Sequence, residues 1–239
     1  MDKDKTLHVI IISAALILGL AALGLLVSRS AITLNRGERT VVVKGLSEKE
    51  VPANIVIWPI AFTEASNDLT ELYEQINTKT KIIRNFLKKQ EIKKTEITVS
   101  SPKIEDKYAQ SYSNSRNAPY RYVSTSRVTV YSENVKGVIK AMNKLVELGR
   151  KGITLTGPNY DARTEFLFTK LNEVKPGMIQ EATKNAREVA TKFATDSDSK
   201  LGKIKKARQG QFSIANRDSS TPNIKKVRVV STVEYYLTD

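Results

Sequence analysis

Val174 to Thr195 reads VKPGMIQEATKNAREVATKFAT, and its spacing decides the fold. Ala182, Ala186, Ala190 and Ala194 recur at strict intervals of four beside Met178, Val189 and Phe193, so one stripe of a helix carries little more than Cβ atoms. So small a stripe lets the helix lie close against a sheet or a second helix. Pro176 falls in the predicted first turn, where a missing N–H is tolerated. Downstream, Gly202 to Ile214 and Lys225 to Leu237 are strand-like. Val227, Val229, Ser231, Val233 and Tyr235 alternate onto one face of the last segment.

The same layering is legible upstream. Thr40-Val41-Val42-Val43-Lys44-Gly45 is β-branched and ends at glycine, and Ala53 to Thr63 is rich in Ile, Val, Trp and Phe; together they predict a hairpin. Pro59 demotes the second strand locally to an edge or a bulge, because proline gives the ladder no N–H. From Leu69 the period becomes helical, with Leu69, Leu72, Tyr73, Ile76, Ile83 and Leu87 on one face and Asn67 or Asp68 as cap. Lys79, Lys81, Arg84 and Lys88 lie mostly off that stripe. Strand signals return at Glu96 to Ile104 and Arg121 to Tyr131, and a second helix carries Val135, Val138, Ile139, Met142, Leu145 and Val146, stopping near Gly149. Ile153 to Thr156 and Tyr160 to Leu171 read as extended. The predicted class is α+β: an antiparallel or mixed sheet with about three helices packed on it.

Ahead of this lies Val9 to Val27, VIIISAALILGLAALGLLV, without one charge and with Ser13 its only polar side chain. At 1.5 Å per residue it approaches the roughly 30 Å of a bilayer core. It is long for a cleavable signal, and Arg29 interrupts the small residues a cleavage site needs. The expected organisation is therefore a short flank (1–8), a signal anchor or transmembrane helix (9–28), a polar linker (29–39) and a folded domain (40–239).

Composition narrows the chemistry. The 239 residues contain no cysteine, which excludes a thiolate nucleophile and cysteine-ligated metals. The single histidine, His8, borders the apolar run, so the folded part has no imidazole for acid–base catalysis or for the usual zinc sites. The net charge is +14. Residues 111–160 carry eight bases against two acids and 161–239 fifteen against ten, a surplus suited to an anionic surface or simply to solubility.

Taken in order, Val41-Val43-Gly45, Val51-Pro52, Asn159-Tyr160-Asp161, Glu181-Ala182 to Ala194 and Leu201-Gly202-Lys203-Ile204 resemble the marks of the SIMPL-domain family. That family includes bacterial envelope proteins linked to oxidative-stress defence and an animal kinase-associated adaptor. Two departures, Gly45-Leu46-Ser47 and Val51-Pro52-Ala53, touch turn geometry only. The resemblance implies export, which makes residues 1–8 cytoplasmic and places the domain in the periplasm, anchored to the inner membrane. It also implies a homo-oligomer and supplies no catalytic residue to carry over.

Two segments are candidates for partner contact. The loop Tyr108 to Tyr122 holds Tyr108, Tyr112, Tyr120 and Tyr122 with Arg116 and Arg121, the residue types binding surfaces favour; an ordinary variable loop is the plainer alternative. Lys203, Lys205, Lys206 and Arg208 place bases on both faces of one strand, which argues for an edge strand and, alternatively, for a partner or membrane-surface site. Asp196 and Asp198 have the start of a calcium loop but not its glycine and distal glutamate, and read as a helix-terminal turn. The expectation is a non-enzymatic, cofactor-free and metal-free envelope protein acting by binding and self-assembly, with indirect protection under oxidative or envelope stress. Its partners are the membrane, its own copies and an envelope protein or anionic surface, with no nucleic acid. A ring or pore-like scaffold is the alternative, and a carboxylate-based envelope hydrolase a third.

Overall fold

The computed structural model describes residues 13–26, 38–109, 118–157 and 163–239. Residues 13–26 form a helix, α1, about 21 Å long at 1.5 Å per residue. Among the described residues no helix is long and apolar enough to cross a membrane. The ends of the expected anchor, 9–12 and 27–28, lie outside the described residues, as do nearly all of the linker and Asn159-Tyr160-Asp161.

The domain is α+β, as the periodicities predict, but it has two sheets where one was expected. One has the order β1 (Thr40–Pro52), β9 (Ile224–Thr238), β7 (Lys200–Gln209), with β8 (Ser213–Asn216) also pairing with β9. The other has the order β3 (Ile97–Val99), β5 (Tyr122–Ser132), β2 (Ile55–Ser66), β6 (Glu165–Leu167), with β4 (Lys103–Asp106) also on β5. The predicted hairpin of the first two strands does not form, and the corner between them shows why. Pro52 offers no N–H, Ala53 donates to the carbonyl of Asn223 at 2.8 Å and Asn54 to that of Leu167 at 2.9 Å. The two amides of the link are therefore spent on different neighbours, and the chain passes from one sheet to the other.

Pro59 behaves as an edge residue within β2. Thr63 donates to Thr154, and the carbonyl of Ala61 accepts from Thr156, so odd-numbered residues of β2 direct their backbone groups away from β5. On that side β6 pairs only with residues 55–57, so the missing N–H of Pro59 costs no ladder bond. Pro102 similarly splits the strand expected over residues 96–104 into β3 and β4.

The helices are α2 (Leu69–Lys89), α3 (Val135–Met142), α4 (Val146–Gly149) and α5 (Leu171–Asp196), with a 3₁₀ turn at Lys94–Glu96. Asp68 caps α2 by accepting from the N–H of Glu71. The single helix expected over residues 135–149 breaks after Met142, leaving Val146 in solvent. α5 starts earlier than its proline suggests, because Leu171 and Val174 pack against buried apolar neighbours and that burial outweighs the helical bond Pro176 cannot make.

The chain divides into two compact units. In the unit of Met1–Gly45, Thr183–Arg208 and Ser231–Asp239, Ala186 and Ala190 pack on Val43, Val233 and Tyr235, which is the close helix-on-sheet contact the alanine stripe predicts. The unit of Leu46–Ala182 and Gln209–Val230 contains the larger core, with Trp58, Phe62, Leu72, Phe86, Val128 and Val130 at its centre. Each such fully buried side chain contributes about 1.5–3 kcal/mol.

Candidate functional site

The base of the tyrosine-rich loop is built around one ion pair. Arg121, just before β5, directs Nε at 3.1 Å and Nη2 at 3.0 Å to Oδ2 of Asp106 at the end of β4, and its guanidinium lies 4.9 Å from the centre of the Tyr122 ring. Its backbone N–H donates to Oδ1 of Asn67 at 2.9 Å. The hydrogen bond from Arg121 holds the Asp106 carboxyl below its ordinary value, and the same contact raises the guanidinium. Arg121 is therefore committed to closing the loop. Tyr122 begins β5 and packs against the core, while Tyr108 and Tyr120 are half exposed. Tyr112 and Arg116 lie outside the described residues.

The basic strand is β7, which lies at the end of its sheet with residues 203–209 exposed, as its charge pattern predicts. Its cations differ in their partners. Nζ of Lys205 is 2.6 Å from Glu38 and 3.6 Å from Glu234, and lies 5.5 Å from the Tyr236 ring centre; the Glu38 hydrogen bond raises its pKa. Lys203 is exposed and has no partner among the described residues. Lys206 and Arg208 line a shallow depression of about 230 Å³ with Val42, Thr232 and Glu234. The structure thus brings Lys206 and Arg208 together and uses Lys205 internally.

Asp198 adopts φ 50° at the end of α5, and Ser199 donates back to Ala194 at 2.8 Å, so the Asp196/Asp198 segment is a helix-terminating turn. Among the described residues, no group of three or more His, Cys, Asp or Glu side chains could hold a metal ion.

Other cations differ in whether an acid holds them. Arg39 pairs with Asp239, Lys79 with Glu64, Arg217 with Glu50 and Asp218, and Arg228 with Glu48. Arg84, Lys88 and Lys89 on α2, and Lys136, Lys140 and Lys144 on and after α3, are exposed and have no described carboxylate as partner. Sequence reasoning did not single out this second set as a site. The signal was present, since Lys136, Lys140 and Lys144, like Arg84 and Lys88, fall four residues apart and so share a helix face.

The SIMPL family model, described as a protein of unknown function (DUF541), matches residues 41–235. No curated protein matches the chain. The family match opens in β1 and closes in β9, taking in both sheets and the alanine stripe of α5, and on that extent the chain belongs to the SIMPL family.

Proposed function

We propose that this SIMPL domain is held at the outer face of the cytoplasmic membrane by its N-terminal apolar segment. There it acts without catalysis, by binding and by assembling with further copies of itself, and any protection under oxidative or envelope stress is indirect. The anchor reading is supported by α1, whose Leu16, Leu18, Leu20, Leu23 and Leu25 are all at least 61% exposed. A helix apolar all round is covered by lipid or by other protein.

The observation that carries self-assembly is the outer face of the sheet in the first unit. Val42 is 61% exposed and Ile204 42%, beside a depression shared by Lys206, Arg208 and Glu234. Apolar side chains flanked by both signs of charge suit an isologous contact, in which the bases of one copy meet the acid of the other around a twofold axis.

Light scattering on the full chain in a neutral detergent, over a concentration series, tests this. The expected result is a multi-subunit mass for the unmodified chain and a monomer for Val42→Lys, a change at an exposed position that leaves the fold intact. An unmodified chain that stays monomeric at every concentration overturns the assembly reading.

A further inference from the structure

A group of cations without a described acid partner gathers around the C-terminal end of α2, where the surface is concave. Arg84, Lys88, Lys93 and Lys94 line a cleft of about 500 Å³ together with Ile92 and Ile97. A second cleft, of about 550 Å³, is lined by Lys89, Lys136, Lys140 and Lys144, with Glu91 its one acid. The last turn of α2 lines both, giving Lys88 to the first and Lys89 to the second. α3 begins in the second cleft, which also adds the positive end of a helix dipole there.

All eight cations are exposed, and like charges this close repel one another unless something anionic lies between them. A single phosphate would fill neither the span nor both clefts. The side chains are almost all lysine, compact point charges that suit a flexible chain of anions better than the planar, bidentate recognition for which arginine is used. None of the exposed large apolar side chains lines either cleft, so neither offers a residue to insert into a bilayer, and a flat membrane cannot enter two concavities at once. No aromatic side chain lines them either, so bases have nothing to stack on.

We propose that the two clefts together form one binding site for a linear, base-free polyphosphate-type chain. Its phosphates sit in both clefts and the chain crosses the end of α2.

The test is fluorescence anisotropy of end-labelled inorganic polyphosphate with the full chain in neutral detergent, from 50 to 200 mM salt. The triple variant Lys88→Gln/Lys93→Gln/Lys94→Gln and the triple variant Lys136→Gln/Lys140→Gln/Lys144→Gln are each expected to weaken binding at least about tenfold at 50 mM salt. Each should also lower the slope of log affinity against log salt by about 2, near 0.7 per cation removed from a flexible chain's site. The corresponding Lys→Arg triples retain the slope, and the single change Lys140→Glu, at an exposed position, shows the same direction in a minimally altered fold. A charge-matched triple on α5, Lys184→Gln/Arg187→Gln/Lys192→Gln, leaves the slope unchanged. Three results overturn the proposal: an equal loss from the α5 triple, which would assign binding to net charge; an effect from one cleft's triple only; or tighter binding per phosphate by a single-stranded oligonucleotide or by anionic vesicles than by polyphosphate.

Discussion

Gly210 lies between β7 and β8, both of which pair with β9. Its N–H donates to the carbonyl of Val230 at 2.8 Å, and a Cβ built on it would sit 2.5 Å from that same oxygen. This is about 0.9 Å short of ordinary van der Waals contact, and the obstacle is backbone that no side-chain rotation can move. In Gly210→Ala the two strands must separate by nearly that amount, which stretches the hydrogen bond beyond its working range. The lost bond costs about 1 kcal/mol and the strain of overpacking about 1–3 kcal/mol, for a total of about 2–4 kcal/mol. At about 2–4 °C per kcal/mol for a domain of this size, the melting temperature should fall by about 5–15 °C. Gly177→Ala is the control of opposite sign. Gly177 lies inside α5, a Cβ there meets nothing within 4 Å, and alanine should stabilise the helix by up to about 1 kcal/mol. Thermal and urea unfolding of the full chain, followed by far-UV circular dichroism, reads both. A Gly210→Ala protein melting within about 2 °C of the unmodified one would refute the reasoning, because a clash worth 2 kcal/mol cannot hide in so small a shift.

Two further outcomes are expected. Glu91 follows α2 with φ 62°, while Ile92 donates back to Leu87 at 3.1 Å, so Glu91→Gly should raise the urea midpoint by the equivalent of about 1 kcal/mol, the cost of a left-handed residue with a side chain. Asp218 accepts from the N–H groups of Ser220 and Thr221, from the Thr221 hydroxyl and from Arg217 Nε. These bonds, that of the Thr221 hydroxyl foremost, hold its pKa well below the ordinary 3.8. A carboxyl depressed in the folded state stabilises fully above its unfolded value and loses that contribution as pH falls through 3.8 and below. Unfolding midpoints measured from pH 5 to pH 2.5 should therefore decline less steeply for Asp218→Asn than for the unmodified chain, and parallel declines would contradict the assignment.

The parts of the fold legible in the sequence are those set by local periodicity. The alanine stripe of α5, the inward face of β9 and the apolar face of α2 from Leu72 to Leu87, Tyr73 apart, occupy the positions their spacing requires. What periodicity does not reveal is pairing. β1 and β2 read as a hairpin because they are adjacent in the chain, yet their partners, β9 and β5, lie far away in sequence and the separation depends on two backbone amides at Ala53 and Asn54. The break after Met142 is hidden for a related reason: an apolar pattern continuing through Leu145 and Val146 says nothing about whether there is a surface left for it to bury against, and Val146 finds none. Leu69 and Tyr73, placed on the apolar face of α2 by spacing, are likewise about two-fifths or more exposed at the helix's first turns.

Charge shows the same division between composition and arrangement. Five bases in nine residues make the segment from Lys200 to Arg208 conspicuous, and four tyrosines mark the loop around Arg121. In the folded chain, however, Lys205 and Arg121 are each held by an acid from outside their own cluster, Glu38 and Asp106. The bases around α2 and α3 are less dense along the chain but converge in space with a single acid among them. A net charge of +14 therefore says less about partners than the location of the part of it that the fold leaves uncompensated, because only an unpaired cation releases its counterions to an incoming anion without first breaking an internal bond.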